Sequence, residues 1–239
     1  MNKKLSELFW TCYTIDYKEA GDDVNYRFVE EGNTLYIYFQ GSSSITDWVR
    51  NFLFFKKPYK DMKIPYYVHG GFLAAWKEVE DIIFDKITEK VQREPTEFEK
   101  MNGVMFAYEY KWKEIVVVGY SHGGALAAFC HESCWFWRSD IADNIYGFGF
   151  EAPRIYRGWR VKKALQKRWA NFTVIRNKND LVTHCPPTLF CFCHVGNLLK
   201  IGKGLSTKDY HKPHCIGAHY PEAVLASLKA YEGENKDGE

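Results

Sequence analysis

The 239-residue sequence lacks a long uninterrupted hydrophobic run. Near its N-terminus, two lysines precede an apolar stretch that Glu7 soon interrupts, so the hydrophobic core of a secretion signal is missing. No other run approaches the length that a membrane-spanning helix needs. We therefore expect no transmembrane segment. We also expect a cytoplasmic protein, unless it is exported by another route or a presequence has been removed.

An excess of charge of one sign is also absent, since 32 basic residues face 30 acidic ones and the formal net charge is +2. This balance argues against a nucleic-acid partner and against strong attraction to anionic lipid. A hydrophobic fraction of 46% with 26% charged residues is ordinary for a globular protein and excludes disordered or collagen-like chains. No repeat or linker divides the sequence, so we expect one domain over residues 1–239.

The cysteines form neither a disulfide framework nor a recognisable zinc motif. Their number, seven, is odd and fits reduced thiols better than paired ones. Cysteines and histidines between His184 and Cys215 are residue types that zinc prefers, but a second ligand pair with zinc-site spacing is missing. In the segment 189–195 cysteine alternates with phenylalanine, which predicts a strand with the thiols on one face. We expect neither a metal nor a cofactor.

Predicted strands and helices alternate along the chain. Strands are predicted at 33–39, 64–68, 114–118, 145–150 and 172–175, and helices from about Phe72 up to the interruption at Pro95 and at 121–132, 159–169 and 220–231. Such alternation predicts an α/β domain with a mostly parallel central sheet flanked by helices. In such domains the functional loops follow the carboxyl ends of the strands.

The segment Gly119-Tyr120-Ser121-His122-Gly123 is the most informative motif. A β-branched run precedes it and an alanine-rich segment follows it, which is the strand, turn and helix setting of a nucleophile elbow. The serine would adopt a strained backbone conformation, and a Cβ atom on either glycine would collide with neighbouring backbone. The motif therefore predicts a serine hydrolase with Ser121 as nucleophile.

A serine hydroxyl needs a histidine base and a carboxylate that orients the imidazole. In α/β-hydrolases both follow the serine, with the acid before the histidine. Asp180 is favoured because it comes just after a predicted strand, over other downstream carboxylates: Asp140, Asp143, Glu151, Asp209 and Glu222.

His219 is favoured as the base because it lies directly before the last predicted helix. His211 and His214 occupy the same approach and remain alternatives. The tetrahedral intermediate also needs preset hydrogen-bond donors. One is expected from the backbone N–H of His122, which follows the nucleophile. The other is expected from the serine-rich loop at 41–44, which follows the strand at 33–39.

Five ordered segments resemble the class 3 lipases, the fungal-lipase-like α/β-hydrolases. They are Phe39–Asn51, Val68–Phe72, Val118–Ala127, Ala152–Arg154, and Asn179–Val182 with Pro186 and Pro187. The resemblance implies the α/β-hydrolase fold and a triad of Ser121, Asp180 and His219. It also implies that Ser42 is the oxyanion serine and that Asp47 steadies its loop.

The resemblance further implies a lid after the oxyanion loop. Residues 45–55 are amphipathic to strongly apolar and include Trp48, Phe52 and Phe55, and two lysines and Pro58 follow them. We expect the apolar stretch to end at Pro58. Transient contact with a lipid surface through residues 45–57 is a hypothesis, and a helix packed permanently on the core is its alternative.

Three residues depart from the family pattern. Gln40 replaces the usual arginine, and Tyr120 and His122 stand where the family commonly has histidine and leucine. We expect His122 to narrow or polarise the entrance for the acyl chain. The leading hypothesis is a serine carboxylic ester hydrolase that cleaves acyl esters of lipids. Alternatives are a phospholipase or acyltransferase on the same triad, and a non-catalytic lipid-binding protein on a hydrolase scaffold.

Overall fold

A computed structural model describes residues 3–21, 24–41, 56–60, 63–202 and 216–234. The helices in these ranges are α1 (Leu5–Thr14), α2 (Gly70–Ile87), α3 (Glu97–Met101), α4 (His122–Trp137), α5 (Lys163–Gln166) and α6 (Pro221–Glu234). The strands are β1 (Lys18–Ala20), β2 (Val24–Glu31), β3 (Thr34–Phe39), β4 (Lys56–Tyr59), β5 (Tyr66–His69), β6 (Lys90–Arg93), β7 (Ala107–Tyr110), β8 (Glu114–Tyr120), β9 (Ile145–Phe150), β10 (Tyr156–Arg157), β11 (Phe172–Asn177), β12 (Phe192–Cys193) and β13 (Asn197–Ile201).

The central sheet has, within the described ranges, seven strands in the order β1-β2-β3-β8-β9-β11-β13. The five strands from β3 to β13 are parallel, and β2 is antiparallel to both of its neighbours. The predicted α/β architecture with a mostly parallel sheet is therefore confirmed. Parallel strands end at the same edge of the sheet, so the loops that follow β3, β8, β9 and β11 meet there.

Both faces of the sheet are covered. Leu35, Ile37 and Phe39 of β3 belong to a core cluster with α2 and α4, while Tyr36 and Tyr38 point to the opposite face, where α1 and α6 pack. Strands buried on both faces form continuous apolar runs rather than alternating ones. This explains the uninterrupted hydrophobic pattern of β3 and β8.

Helix α2 follows its predicted apolar spacing closely. Phe72, Trp76, Val79 and Ile83 lie on one face and are at most 1% exposed. Burying each of these side chains contributes about 1.5–3 kcal/mol. The contact of α2 with α4 and the sheet places the start of α2 beside the turn that follows β8.

Three sequence predictions about local structure were wrong. The helix predicted at 159–169 is reduced to α5 and a 3₁₀ turn at Lys167–Trp169, and the hydroxyl of Tyr156 accepts the N–H of Lys162 just before α5. The strand predicted at 189–195 is reduced to β12, because Thr188–Phe190 form a 3₁₀ turn and Cys191 has a φ of 58°.

The third is the helix predicted from about Phe72 up to Pro95: α2 ends at Ile87, and Lys90–Arg93 form β6, which pairs with β7.

Pro58, where the apolar stretch was expected to end, lies inside β4. An edge strand tolerates proline because one side of its backbone needs no ladder partner, and β4 is an edge of a smaller sheet with the order β12-β10-β5-β4. Among the described helices, none combines the length and apolarity required to cross a bilayer.

Candidate active site

Ser121 lies in the sharp turn between β8 and α4, with φ 55° and ψ −121°. Its N–H donates to the carbonyl of Phe150 at 2.8 Å, which ties the turn to β9. A Cβ on Gly119 would lie 2.0 Å from the oxygen of Gly123, and a Cβ on Gly123 would lie 2.3 Å from the oxygen of Phe39. The turn therefore requires glycine at both positions, as the sequence predicted.

The structure brings Ser121, His219 and Asp180 into one hydrogen-bonded line. Ser121 Oγ lies 2.9 Å from His219 Nε2, and His219 Nδ1 lies 2.7 Å from Asp180 Oδ2. With Nδ1 protonated, the imidazole donates to the carboxylate and its Nε2 accepts from the serine hydroxyl. Ser121 is 2% exposed, and the other two side chains are fully buried. This geometry can take a proton from the hydroxyl and orient the base that takes it.

Asp180 follows β11 in a loop held by its neighbours. Its Oδ1 accepts the N–H of Val182 at 3.0 Å, which leaves Oδ2 directed at the histidine. Arg154 Nη1 donates to the carbonyls of His184 at 2.6 Å and Pro186 at 2.9 Å. Arg154, in one family-like segment, therefore contacts the loop after β11, which contains another of these segments. This contact fixes the loop that carries Asp180.

His219 ends the 3₁₀ turn Ile216–His219, directly before α6. The hydroxyl of Tyr120 donates to its carbonyl, and the two rings are stacked with centroids 5.2 Å apart. Asn177 Nδ2 donates to the carbonyl of Ala218 at 2.8 Å. The alternatives His211 and His214 lie outside the described residues.

His122 is the first residue of α4, at the end of a helix where backbone N–H groups point outward. Its ring is 8% exposed and lies 5.5 Å from the ring of Phe72. Gly41 is close to Ser121, since a Cβ on Gly41 would lie 3.3 Å from the Cβ of Ser121. The loop after β3 therefore begins beside the serine. Ser42, Asp47 and the apolar stretch 45–55 lie outside the described residues.

The described histidines near the cysteines bind backbone carbonyls. His184 Nδ1 lies 2.8 Å from the oxygen of Asp180, and His194 Nε2 lies 2.8 Å from the oxygen of Thr183. Burial lowers the pKa of His194 to about 3 and raises the pKa of the Cys193 thiol to about 11. His184 and His194 therefore bind the carbonyls of Asp180 and Thr183, and Cys215 lies outside the described residues.

Several residues that shape the site were not predicted to do so from sequence. Asn177 binds the carbonyl of Ala218, next to His219, and Arg154 binds the carbonyls of His184 and Pro186. Asn177 was detectable only as a polar residue just after a predicted strand, whereas Arg154 lies in one of the five segments that carry the family resemblance. Glu151, one of the acid candidates, lies beside Asp180 and not in bonding position to Nδ1 of His219. Asp140 instead pairs with Arg138 at 2.9 Å.

Comparison with known proteins identifies the same family as the sequence motifs. The family model for lipase (class 3) matches residues 36–190. A lipase of Rhizomucor miehei is 28% identical over 213 residues, which cover 84% of this chain and 53% of that protein. The secreted mono- and diacylglycerol lipase 1 of Fusarium solani is 27% identical over 171 residues, which cover 72% of this chain and 45% of that protein. The chain thus spans about half the length of these curated relatives.

Solved structures show the same fold. The triacylglyceride lipase of Rhizomucor miehei superposes with a TM-score of 0.63 at 20% identity, covering 88% of this chain and 82% of that one. Lipase II of Rhizopus niveus superposes with a TM-score of 0.61 at 21% identity, covering 86% of this chain and 77% of that one. The fold is the α/β-hydrolase fold. With the family match over residues 36–190, this chain belongs to the class 3 lipase family.

Proposed function

We propose that this chain is a serine carboxylic ester hydrolase that cleaves acyl esters of lipids through an acyl-enzyme on Ser121. The observation that carries the proposal is the hydrogen-bonded line from Ser121 through His219 to Asp180, with distances of 2.9 Å and 2.7 Å. The family membership supports the same chemistry. A serine without such a base is a poor nucleophile at neutral pH.

In the proposed reaction, Ser121 Oγ attacks the ester carbonyl carbon while His219 Nε2 takes the hydroxyl proton. The tetrahedral intermediate collapses when the carbon–oxygen bond of the leaving alcohol breaks and His219 returns the proton to that oxygen. Water then attacks the acyl-enzyme by the same route, and the acid product leaves with Ser121 regenerated. Asp180 keeps Nδ1 protonated and stabilises the imidazolium in both halves.

The oxyanion of the intermediate is proposed to bind two donors. One is the backbone N–H of His122, at the N-terminus of α4, where the helix dipole favours negative charge. The other is Ser42, supported by the position of Gly41 beside Ser121. Loss of one such donor typically raises the barrier by about 3 kcal/mol.

Replacing the nucleophile tests the proposal directly. Ser121→Ala should abolish both the burst and the turnover of p-nitrophenyl acyl esters, and it should abolish labelling by a fluorophosphonate. Ser133→Ala is the matched control, because Ser133 is also buried on α4 but lies away from the turn. Unchanged turnover in Ser121→Ala would rule out the mechanism. Wild-type protein that is not labelled would indicate the non-catalytic lipid-binding alternative.

The acid and base assignments have their own test. Asp180→Asn should reduce kcat by about 10⁴-fold, because an amide favours the wrong imidazole tautomer. His219→Ala should reduce kcat at least as strongly, while His214→Ala should not. If His214→Ala is the inactive variant, the base is misassigned although the reaction class stands.

The lipid nature of the substrate is proposed from the family and from the names of the relatives, which are lipases and a mono- and diacylglycerol lipase. A series of esters with increasing acyl length, with and without an interface, would define the acyl preference. Phospholipid substrates test the phospholipase alternative. Competition between an added alcohol and water for the acyl-enzyme tests the acyltransferase alternative.

Residues 45–57 are proposed to contact a lipid surface transiently. Lys56 and Lys57 are exposed at the start of β4, and Lys56 Nζ lies 5.2 Å from the ring centre of Tyr67, which is 49% exposed. Lys56 pairs with His69 across β4 and β5, and His69 caps the start of α2. A basic and aromatic surface at this position is suited to lipid headgroups.

Binding to vesicles that contain anionic lipid tests this contact. The double change Lys56→Glu with Lys57→Glu should weaken vesicle binding while leaving hydrolysis of a soluble short-chain ester unchanged. Lys90→Glu is the matched control, because Lys90 Nζ also lies 5.2 Å from the ring centre of an aromatic residue, Tyr110, in a different sheet. An equal loss of vesicle binding in the double variant and in Lys90→Glu would mean that the binding is not specific to residues 45–57.

Cellular location and domain organisation remain predictions. The expected cytoplasmic location conflicts with the name of the secreted Fusarium relative, so fractionation of cells and medium is the measurement needed. The expected single domain over residues 1–239 should unfold in one cooperative transition followed by two independent probes.

A further inference from the structure

A second buried carboxyl group lies beside the proposed triad. Glu151 directly follows β9, is fully buried and has a φ of 51°. Its N–H donates to the carbonyl of Ile175 at 2.8 Å, and the carbonyl of the preceding residue, Phe150, accepts the N–H of Ser121. The backbone at Glu151 therefore joins the strand that precedes the acid loop to the turn that carries the nucleophile.

The side chain of Glu151 is directed at the triad. Its Oε1 accepts the N–H of Asn177 at 2.7 Å, and its carboxyl group lies beside that of Asp180. Ligand atoms of Glu151, Asp180 and His219 all lie within 4.8 Å of one another. Within the described part of the chain, Oε2 receives no N–H or O–H hydrogen bond. This oxygen is therefore available to carry a proton.

Two fully buried carboxyl groups this close to each other repel when both are ionised, so a proton on one of them is favoured. Asp180 already accepts two N–H bonds, from His219 and from Val182. Glu151 accepts one. Burial, followed by the contact with Asp180, raises the pKa of Glu151 well above 4.5. The proton belongs on Glu151.

We propose that Glu151 is a positioning residue of this site: its protonated carboxyl donates a hydrogen bond to Asp180 and holds the carboxylate that accepts from His219. The inference rests on the proposed ester hydrolysis, because it assigns a partner to that triad. A glutamate at positive φ is uncommon and strained, and strained residues of this kind cluster at functional sites. The fixed contact orients Asp180 without adding a second charge to the site.

Three substitutions separate a hydrogen-bond donor from a packing residue. Glu151→Gln keeps a donor toward Asp180 and an acceptor for Asn177, so kcat should stay within about threefold of wild type near neutral pH. Glu151→Ala removes the donor and should lower kcat by about tenfold with KM little changed, since a hydrogen bond to a charged group is lost. Glu132→Gln is the control, because Glu132 is another fully buried glutamate, and it bonds Tyr66 and Arg168 instead.

The pH profile is the readout that a packing role would not move. Asp180, His219, Arg176 and Tyr120 are the titratable or charged groups that act on Glu151 or lie beside it. Wild-type kcat should fall at alkaline pH as Glu151 ionises beside Asp180, and this fall should be absent in Glu151→Gln. The Glu132→Gln variant should retain the wild-type profile.

Difference infrared spectroscopy checks the protonation state without any substrate. The wild-type minus Glu151→Gln spectrum near neutral pH should contain the C=O stretch of a protonated carboxylic acid. Absence of that band, or identical alkaline profiles in wild type and Glu151→Gln, would overturn the inference. Failure of the proposed function looks different: the wild type itself would neither turn over esters nor react with a fluorophosphonate, while the infrared band would still report on Glu151.

Discussion

The hydroxyl of Tyr120 bonds to the backbone carbonyl of His219 while its ring lies nearly parallel to the imidazole, at an interplanar angle of 25°. Tyr120 is thus joined to the proposed base by two different contacts and to the nucleophile by the chain itself. Phe9 and Tyr13 of α1 pack edge-on against the same ring. Tyr120 therefore links α1, the turn at Ser121 and the 3₁₀ turn that ends at His219.

Tyr120→Phe should lower kcat by about fivefold, because it keeps the stacked ring but removes one neutral hydrogen bond worth about 1 kcal/mol. Tyr120→Ala should have a larger effect on both kcat and the melting temperature. Steady-state kinetics on one soluble ester gives the comparison. Tyr13→Phe serves as the control, since the rings of Tyr13 and Tyr120 form a T-shaped pair and Tyr13 is 43% exposed. Equal kcat in Tyr120→Phe and wild type would contradict the role of the hydroxyl.

Gly123→Ala should destabilise the protein and lower activity together. The added Cβ would lie 2.3 Å from the oxygen of Phe39 and 2.5 Å from that of Gln40, so the end of β3 must move. Gly233→Ala is the matched control, because no described atom lies within 4 Å of its added Cβ and alanine is the better helix former. Thermal unfolding should show a lower midpoint for the first variant and an unchanged or higher one for the second. A Gly123→Ala protein with wild-type midpoint and turnover would contradict the predicted collision.

Stability should fall as the pH falls from about 6.5 toward 4. Burial lowers the pKa of His131 from 6.5 to about 4. In that window the unfolded chain binds a proton that the native state excludes, so unfolding becomes more favourable as the pH falls. The expected loss from this residue alone is about 2 kcal/mol at about pH 5.

Urea unfolding of wild type and His131→Phe across this pH range measures the effect. The variant should show a shallower dependence of the free energy of unfolding on pH, whatever its absolute stability. His194, whose pKa is also lowered by burial, should contribute in the same direction. Parallel curves for wild type and His131→Phe would show that His131 does not contribute.

Arg154→Met should lower both stability and kcat. The change removes the guanidinium donor to the carbonyls of His184 and Pro186, and loss of a hydrogen bond to a charged group costs about 1.5–3 kcal/mol. The loop that carries Asp180 should then lose its fixed position. Arg154→Lys should recover part of both losses.

Chemical unfolding and steady-state kinetics together give the result for Arg154. Arg157→Met, in the nearby strand β10, is the comparison variant. It removes a guanidinium that lies 5.3 Å from the ring centre of Phe192. A stable Arg154→Met protein with wild-type kcat would show that the acid loop holds its position without the arginine.

The sequence predicted the elbow well because its constraints are local. Glycine at 119 and 123 is required by backbone approach within a few residues, and the flanking strand and helix follow from short apolar patterns. The proposed acid, Asp180, was chosen for its place after a predicted strand, and the structure brings it to His219. These features need little knowledge of distant contacts.

Other features depend on contacts that are remote in sequence. Helix α1 has apolar residues at helical spacing, Leu5, Leu8, Phe9 and Cys12, but such a short helix is marginal alone and gains its stability from packing in the cluster with β8 and α6. The contact of Glu151 with Asp180 requires knowing that β9 and β11 are neighbours in the sheet. The segment 189–195 was mispredicted because a left-handed residue at Cys191 has no pattern signal.

The two bonds of Asn177 have a consequence for how the protein tolerates change in length. Its N–H binds Glu151 and its side chain holds Ala218, so one residue at the sheet edge sets the positions of groups on both sides of the connection between acid and base. These contacts among the described residues hold Asp180 close to His219. A change in the number of residues between 203 and 215 should therefore be accepted more readily than a single substitution at Asn177.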